Sequence, residues 1–184
     1  MQTLNQTANE SWLKTYYFTR AAISIAWILA AISLAPRSPG IAAILLVFYP
    51  LWDALANLAD ATRSGGLAQN RPQAFNVVVS LVVAAAVWLA LPDMHHVLAV
   101  FGVWAILSGL LQLGAGLRRR KLYGAQWAMM LSGGQSALAG ATFIFQAQAA
   151  AEPSISTVVG YAGFGAFYFL VSAILLTVRA RKAA

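Results

Sequence analysis

Long apolar runs, broken at intervals by short polar clusters, dominate this chain, and their lengths predict six helices. The first runs from about Phe18 to Ala35, after which Pro36 and Pro39 close it and open the next. The second spans about Gly40 to Leu58, with Pro50 and Asp53 inside it. Asp60, Arg63, Ser64, Gly65, Gly66 and Asn70 to Pro72 form a polar turn region. The third helix covers about Ala74 to Leu91 and ends at Pro92; the fourth covers about Val97 to Leu117, with Arg118, Arg119, Arg120 and Lys121 directly behind it. The fifth runs from about Leu122 to Gln146, and Glu152 and Pro153 mark the next turn. The sixth runs from about Ile155 to Val178, followed by Arg179, Arg181 and Lys182. Five of the six prolines fall at these boundaries, which supports the segmentation.

Composition turns these helices into membrane spans. The 184 residues are 60% hydrophobic and 9% charged, with mean hydropathy +0.70. A soluble domain carries about 25% charged residues, so lipid must cover much of this surface. The absence of cysteine excludes disulfides and thiolate chemistry. A net charge of +7 would suggest nucleic acid in a soluble protein, but here its placement explains it. Eleven of the twelve Lys and Arg fall at the two ends and in the second and fourth loops; only Arg37 lies on the other side. Basic loops stay in the cytoplasm. Both termini are therefore expected inside, and no nucleic-acid partner is expected.

Residues 1–17 read as a cytoplasmic or interfacial segment, 18–178 as the six-helix transmembrane domain, and 179–184 as a basic cytoplasmic tail. The uncharged part of the first helix is only about 15 residues, or about 22 Å, against a hydrocarbon core of about 30 Å. Arg20 is therefore expected to snorkel, with Trp12, Tyr16 and Tyr17 at headgroup level. Lys14, Arg20 and the apolar run to Ala35 share the layout of a signal peptide. The charged region is long and a proline would follow the cut, so an uncleaved helix is expected.

Helix four carries Gly102, Gly109 and Gly116, and helix five Gly133 and Gly140, each series seven apart and so on one face. Ser132 and Ser136 add small residues to helix five. Helices in lipid associate by close packing, which small residues permit. The expected fold is all-α: six transmembrane helices packed as three successive helical hairpins. The glycine faces can serve within one subunit or in a homo-oligomer, and the sequence leaves both open.

The stretch Phe101-Gly-Val-Trp-Ala-Ile-Leu-Ser-Gly-Leu-Leu-Gln-Leu113, the basic turn, and Gln126-Trp-Ala-Met-Met-Leu-Ser-Gly-Gly-Gln-Ser-Ala-Leu-Ala-Gly140 together resemble the HdeD-like membrane proteins. That family consists of short hydrophobic repeats, usually as six helices, and its namesake is linked to bacterial acid resistance. The resemblance implies a bacterial inner-membrane protein of the acid- or membrane-stress type. It brings no catalytic residues to carry over. The polar segment from Tyr49 to Asp60 stands outside the generic repeat and marks a subgroup feature.

Few residues are placed to do chemistry. Asp53 lies inside helix two, past the midplane towards the cytoplasm. A carboxylate there costs at least about 2.5 kcal/mol on insertion scales and must find a partner or a wet cavity. Asn57 and Asp60 follow on the same face, and Pro50, one turn earlier, frees a carbonyl and can kink the helix. These groups make either a cation or proton site or a structural aspartate bonded to Asn57, Gln112 or a serine of another helix. Gln135, on the glycine seam of helix five, is a further intramembrane polar candidate. Asp60 is expected to pair with Arg63 at the interface. His95 and His96 beside Asp93 form an outward cluster suited to pH sensing, since histidine charges in mild acid. Adjacent histidines diverge, so no metal site is expected. Arg118, Arg119, Arg120 and Lys121 fix topology and are candidates for contact with anionic lipids. Trp88 and Trp127 read as belt residues at opposite faces.

Three functions compete. A non-enzymatic stress protein acting through packing, lipids or partners predicts tolerance of Asp53→Asn. A small proton, cation or solute transporter using Asp53 and Asn57 predicts loss of flux in that variant without loss of folding. An enzyme needs ligands or a base grouped at depth; two adjacent loop histidines and one deep carboxylate do not supply that, so no enzymatic activity and no cofactor are expected.

Overall fold

The computed structural model describes residues 2–119 and 126–183. Six helices carry the chain: α1 Gln2–Ser33, α2 Pro39–Arg63, α3 Arg71–Ala90, α4 Met94–Arg119, α5 Gln126–Gln146 and α6 Ile155–Ala183. A short 3-10 turn, Ala35–Arg37, links α1 to α2. No strand occurs among the described residues. Five of the helices hold segments long and apolar enough to cross a membrane: Ser11–Arg37, Pro39–Arg63, Arg71–Ala90, Met94–Gly114 and Ile155–Val178. Large apolar side chains point outward, with Leu89, Phe145, Leu138 and Ile44 all more than two-thirds exposed. Such a surface suits hydrocarbon rather than water.

Proline and capping chemistry set the boundaries. Pro39 occupies the first turn of α2, where its missing N–H costs nothing, and Ser38 Oγ accepts from the Ile41 N–H at 3.4 Å. The α2–α3 turn needs positive φ at Gly65 (101°) and Gly66 (93°), which lets the Gly66 N–H reach back to Ala61 O at 2.7 Å. Asn70 Nδ2 ties the turn by donating to Ser64 O at 2.7 Å and Gly66 O at 3.0 Å.

The polar amino segment is helical and continuous with the first apolar stretch, since α1 runs unbroken from Gln2. One expectation changes: pairing differs from three successive hairpins. The closest pairs are α4 with α5, α2 with α3, and α1 with α6, while the backbones of α5 and α6 stand farther apart and meet through side chains. The glycine seam explains the first of these. A Cβ on Gly109 would lie 2.5 Å from Gly133 O and 2.6 Å from Ala137 N, and one on Gly140 would lie 2.5 Å from Gly102 O. Backbone therefore touches backbone along α4–α5, and Ser136 Oγ donates across the seam to Ala105 O at 3.0 Å. These four glycines are used within the subunit; around Gly134, Gly160 and Gly163 the space is open. The core between the pairs is aromatic. Tyr49 lies 4.9 Å from Trp27, 6.0 Å from Trp104 and 6.2 Å from Phe101 between ring centroids, and Trp27 Nε1 donates to Leu45 O at 2.8 Å.

Candidate functional site: an ion pair inside the bundle

Arg20 and Asp53 form the centre of the polar interior. Arg20 lies thirteen residues before the end of α1 at Ser33, and Asp53 fourteen residues after the start of α2 at Pro39. At 1.5 Å per residue both sit about 20 Å from the connecting turn, so the hairpin brings opposite charges to one depth. The same register holds for Trp12 and Asp60, each twenty-one residues from those ends. Trp12 Nε1 accordingly donates to Asp60 Oδ1 at 3.4 Å.

Arg20 Nη2 pairs with Asp53 Oδ1, and both side chains are largely covered, 13% and 21% exposed. Arg20 Nη1 donates to Tyr16 Oη at 3.0 Å. Its guanidinium also lies 4.3 Å from the centroid of Phe169 on α6, a favourable cation–π distance. The other carboxylate oxygen, Asp53 Oδ2, accepts from Ser80 Oγ at 2.8 Å and from Asn57 Nδ2 at 3.0 Å. Asn57 Nδ2 bonds Asp53 O as well, at 2.8 Å. Ser80 and Asn57 are buried. The cluster thus joins α1, α2, α3 and α6, and each Asp53 oxygen has a donor. Two charges in a low-dielectric setting are tolerable only with such pairing and added hydrogen bonds. Comparison with protein-family models, curated proteins and solved structures finds no match to this chain. The site therefore has to be read from its own chemistry.

Of the residues singled out by sequence, Asp53 and Asn57 are brought together, with buried Pro50 a turn below them on α2. A serine of another helix, Ser80, does bond Asp53, whereas Gln112 does not. Gln135 stands apart, accepting from Tyr168 Oη at 2.8 Å. Nearby, Ser136 Oγ and Tyr161 Oη share a hydrogen bond of 3.0 Å. Arg20 does not snorkel: it turns inward to the carboxylate. Asp60 does not pair with Arg63. Its second oxygen accepts from Gln73 Nε2 at 3.2 Å, and the Arg63 guanidinium lies 5.6 Å from the Trp12 ring centroid instead. Arg20 is the residue whose role the sequence reading missed. The signal was available in its equal distance from the first turn and in the rule that charges at depth pair with one another.

The outward cluster divides. Asp93 Oδ1 accepts the backbone N–H of His95 at 2.8 Å, capping the start of α4. That bond, ahead of the nearby histidines, holds the Asp93 carboxyl below its ordinary range. His95 turns in, its Nδ1 3.1 Å from Ala147 O beyond α5. His96 turns out, three-quarters exposed, with Nδ1 3.3 Å from Asp93 Oδ2. The divergence expected of adjacent residues on a helix is seen. Among the described residues no three His, Asp or Glu side chains come together. Of the basic run, Arg118 and Arg119 end α4, while Arg120 and Lys121 lie outside the described residues. Trp88 is 64% exposed near the end of α3.

Proposed function

We propose that this chain is a six-span protein of the bacterial inner membrane with both termini in the cytoplasm. It has no enzymatic activity and acts through packing, lipid contact or partners in resistance to acid or membrane stress. The observation that carries the reading is the saturation of its one deep carboxylate. Asp53 is engaged by Arg20, Asn57 and Ser80, so this carboxylate is neither a free base nor an open cation ligand. The cluster acts as a clamp on four helices. α5, at 21 residues, is long enough to be the sixth span beside the five apolar ones. The placement of basic residues supports the orientation. The HdeD-like resemblance of helices four and five supports the stress role, and Arg118 to Lys121 are offered as contacts for anionic lipids. Homo-oligomerisation stays open to the unfilled glycine faces of α5 and α6.

The test is dissipation of an imposed pH gradient by proteoliposomes holding the intact protein. No flux above empty vesicles is expected between pH 5 and 8. Proton or cation flux would replace this reading with a transporter that uses the Asp53 region. In cells, loss of the gene is expected to lower survival after acid challenge, and unchanged survival would remove the stress role.

A further inference from the structure

An open groove of about 480 Å³ runs between α3 and α4. Val83 and Trp104, both buried, form its floor, and Val78, Val82, Val103 and Leu107 form its exposed rims. Towards the outer end its walls shrink to Ala86 and Ala99. α3 and α4 approach each other less closely than the pairs α2–α3 and α4–α5 on either side, and the groove is the result. Its lining is apolar apart from the Trp104 indole, so it suits neither a headgroup nor a polar solute.

α6 carries the complementary relief. Phe164 and Phe167, three residues apart on one face, are each about half exposed. Gly160 and Gly163, just outward of them, have open space where a Cβ would stand. A cavity of about 150 Å³ takes one benzene ring, so the groove has room for both phenyl rings. Depth agrees as well. The groove spans residues four to thirteen from the outer ends of α3 and α4, and Gly160 to Phe167 lie five to twelve residues from the outer end of α6. Tyr49 ties the two scales together. Its ring lies 6.0 Å from Trp104 on the groove floor, and its Oη is 3.7 Å from the Cβ position of Gly165, between the two phenylalanines. At that depth small residues meet at Ala99 and Gly160, and the rings meet valines further in.

We propose that the α3–α4 groove receives the Phe164–Phe167 face of α6 from a second copy of this chain. The contact rests on the reading that all copies cross the bilayer in one orientation, which holds α6 of one copy at the depth of the groove in the next. The groove belongs to α3 and α4, whereas α6 packs on α1. Each copy therefore offers a knob on one surface and a hole on another, and such a head-to-tail contact builds a ring or a row, not a two-fold dimer. An aromatic side chain buries about 150–250 Å². With half of that still exposed, the two rings and the groove rims together withdraw roughly 400 Å² from lipid. A permanent soluble interface needs at least about 1,200 Å², so this association is an exchanging one, held by close packing at the small residues.

The chain has no cysteine, so engineered pairs report without background. The test is oxidation of the full chain in native membranes carrying both Gly160→Cys and Ala99→Cys, with products sized under non-reducing conditions. A ladder of dimer, trimer and larger species is expected. Either substitution alone is expected to give monomer, because a head-to-tail contact never brings like residues together. Phe167→Ala, a change on an exposed face, is expected to cut the ladder several-fold. Val82→Trp, which fills the groove from its rim, is expected to do the same. No ladder from the doubly substituted chain would overturn the proposal and leave the groove to lipid tails. A product that stops at the dimer, a ladder from either single substitution, or a ladder indifferent to Phe167→Ala and Val82→Trp would overturn it too. A chain that does not float with membranes would instead sink the membrane reading, so the two failures are distinct.

Discussion

Replacing Asp53 by Asn removes one charge from a covered pair and leaves Arg20 in place. Breaking such a pair by removing one partner costs about 3–5 kcal/mol, because the remaining charge is stranded away from water. Asp53 and Arg20 are 21% and 13% exposed, so solvent offers little relief. Three features favour the lower end of that range. Arg20 keeps its hydrogen bond to Tyr16 and its position over Phe169. The Asn side-chain oxygen can still accept from Ser80 or Asn57. A loss of about 3 kcal/mol is therefore expected, a large share of the 5–15 kcal/mol that holds an ordinary domain together. This departs from the tolerance that packing-only function would predict, and the reason is Arg20. The assay is unfolding in mild detergent followed by helicity, run as a double-mutant cycle. Arg20→Met alone should cost a similar amount. Arg20→Met combined with Asp53→Leu, with Asp53→Leu alone as the fourth corner of the cycle, should recover most of the loss, since a buried pair exchanged for apolar groups is often neutral. Asp53→Asn within about 1 kcal/mol of wild type, or a double variant no better than the singles, would refute the clamp.

Four further outcomes follow from the same structure. Ser80→Ala removes a 2.8 Å donor to Asp53 Oδ2 and should cost about 1.5–3 kcal/mol in the same unfolding assay. Gly109→Ala puts a Cβ 2.5 Å from Gly133 O and should cost about 1–3 kcal/mol by forcing α4 from α5. Gly134→Ala, with nothing within 4 Å, should be neutral or gain up to about 1 kcal/mol. For Asp93 the folded carboxyl titrates below its ordinary value of 3.8. Its stabilising bond is therefore fully present above that value and is lost as pH falls through the lower folded value. Asp93→Ala should thus lower the melting temperature at pH 7, and the difference from wild type should shrink below about pH 4. A difference that persists unchanged at pH 2 would refute the assignment.

Much of the helical layout was legible because Pro36, Pro39, Pro72, Pro92 and Pro153 punctuate it and the apolar runs are long. The amino segment was not, because its Asn, Gln and Thr residues carry no apolar period that would announce a helix continuous with α1. The glycine spacing foretold close contact between α4 and α5. It held no information on α1, which meets α6 through Arg20, Tyr17 and Phe169; the last two stack at 6.2 Å. Such partners lie 149 and more residues apart and share no local pattern. Asp53 and Asn57 were visible as polar residues in an apolar run. Arg20 was read by its distance from the end of a short span, which suggested escape to the interface. Its depth measured from the other end, at the α1–α2 turn, decides its partner.

That shared depth also bears on how the protein enters the bilayer. A lone Arg or Asp at the centre of an inserting helix costs about 2.5–3.5 kcal/mol on insertion scales. α1 alone would carry the first of these costs and α2 the second. Released together as a hairpin, with the short turn at Ala35–Arg37 holding them antiparallel, the two segments cancel each other's charge before either meets lipid. Biogenesis of this chain is then a two-helix event at its outset: a truncation ending between α1 and α2 should integrate poorly, and one ending beyond Asp53 should integrate as a unit.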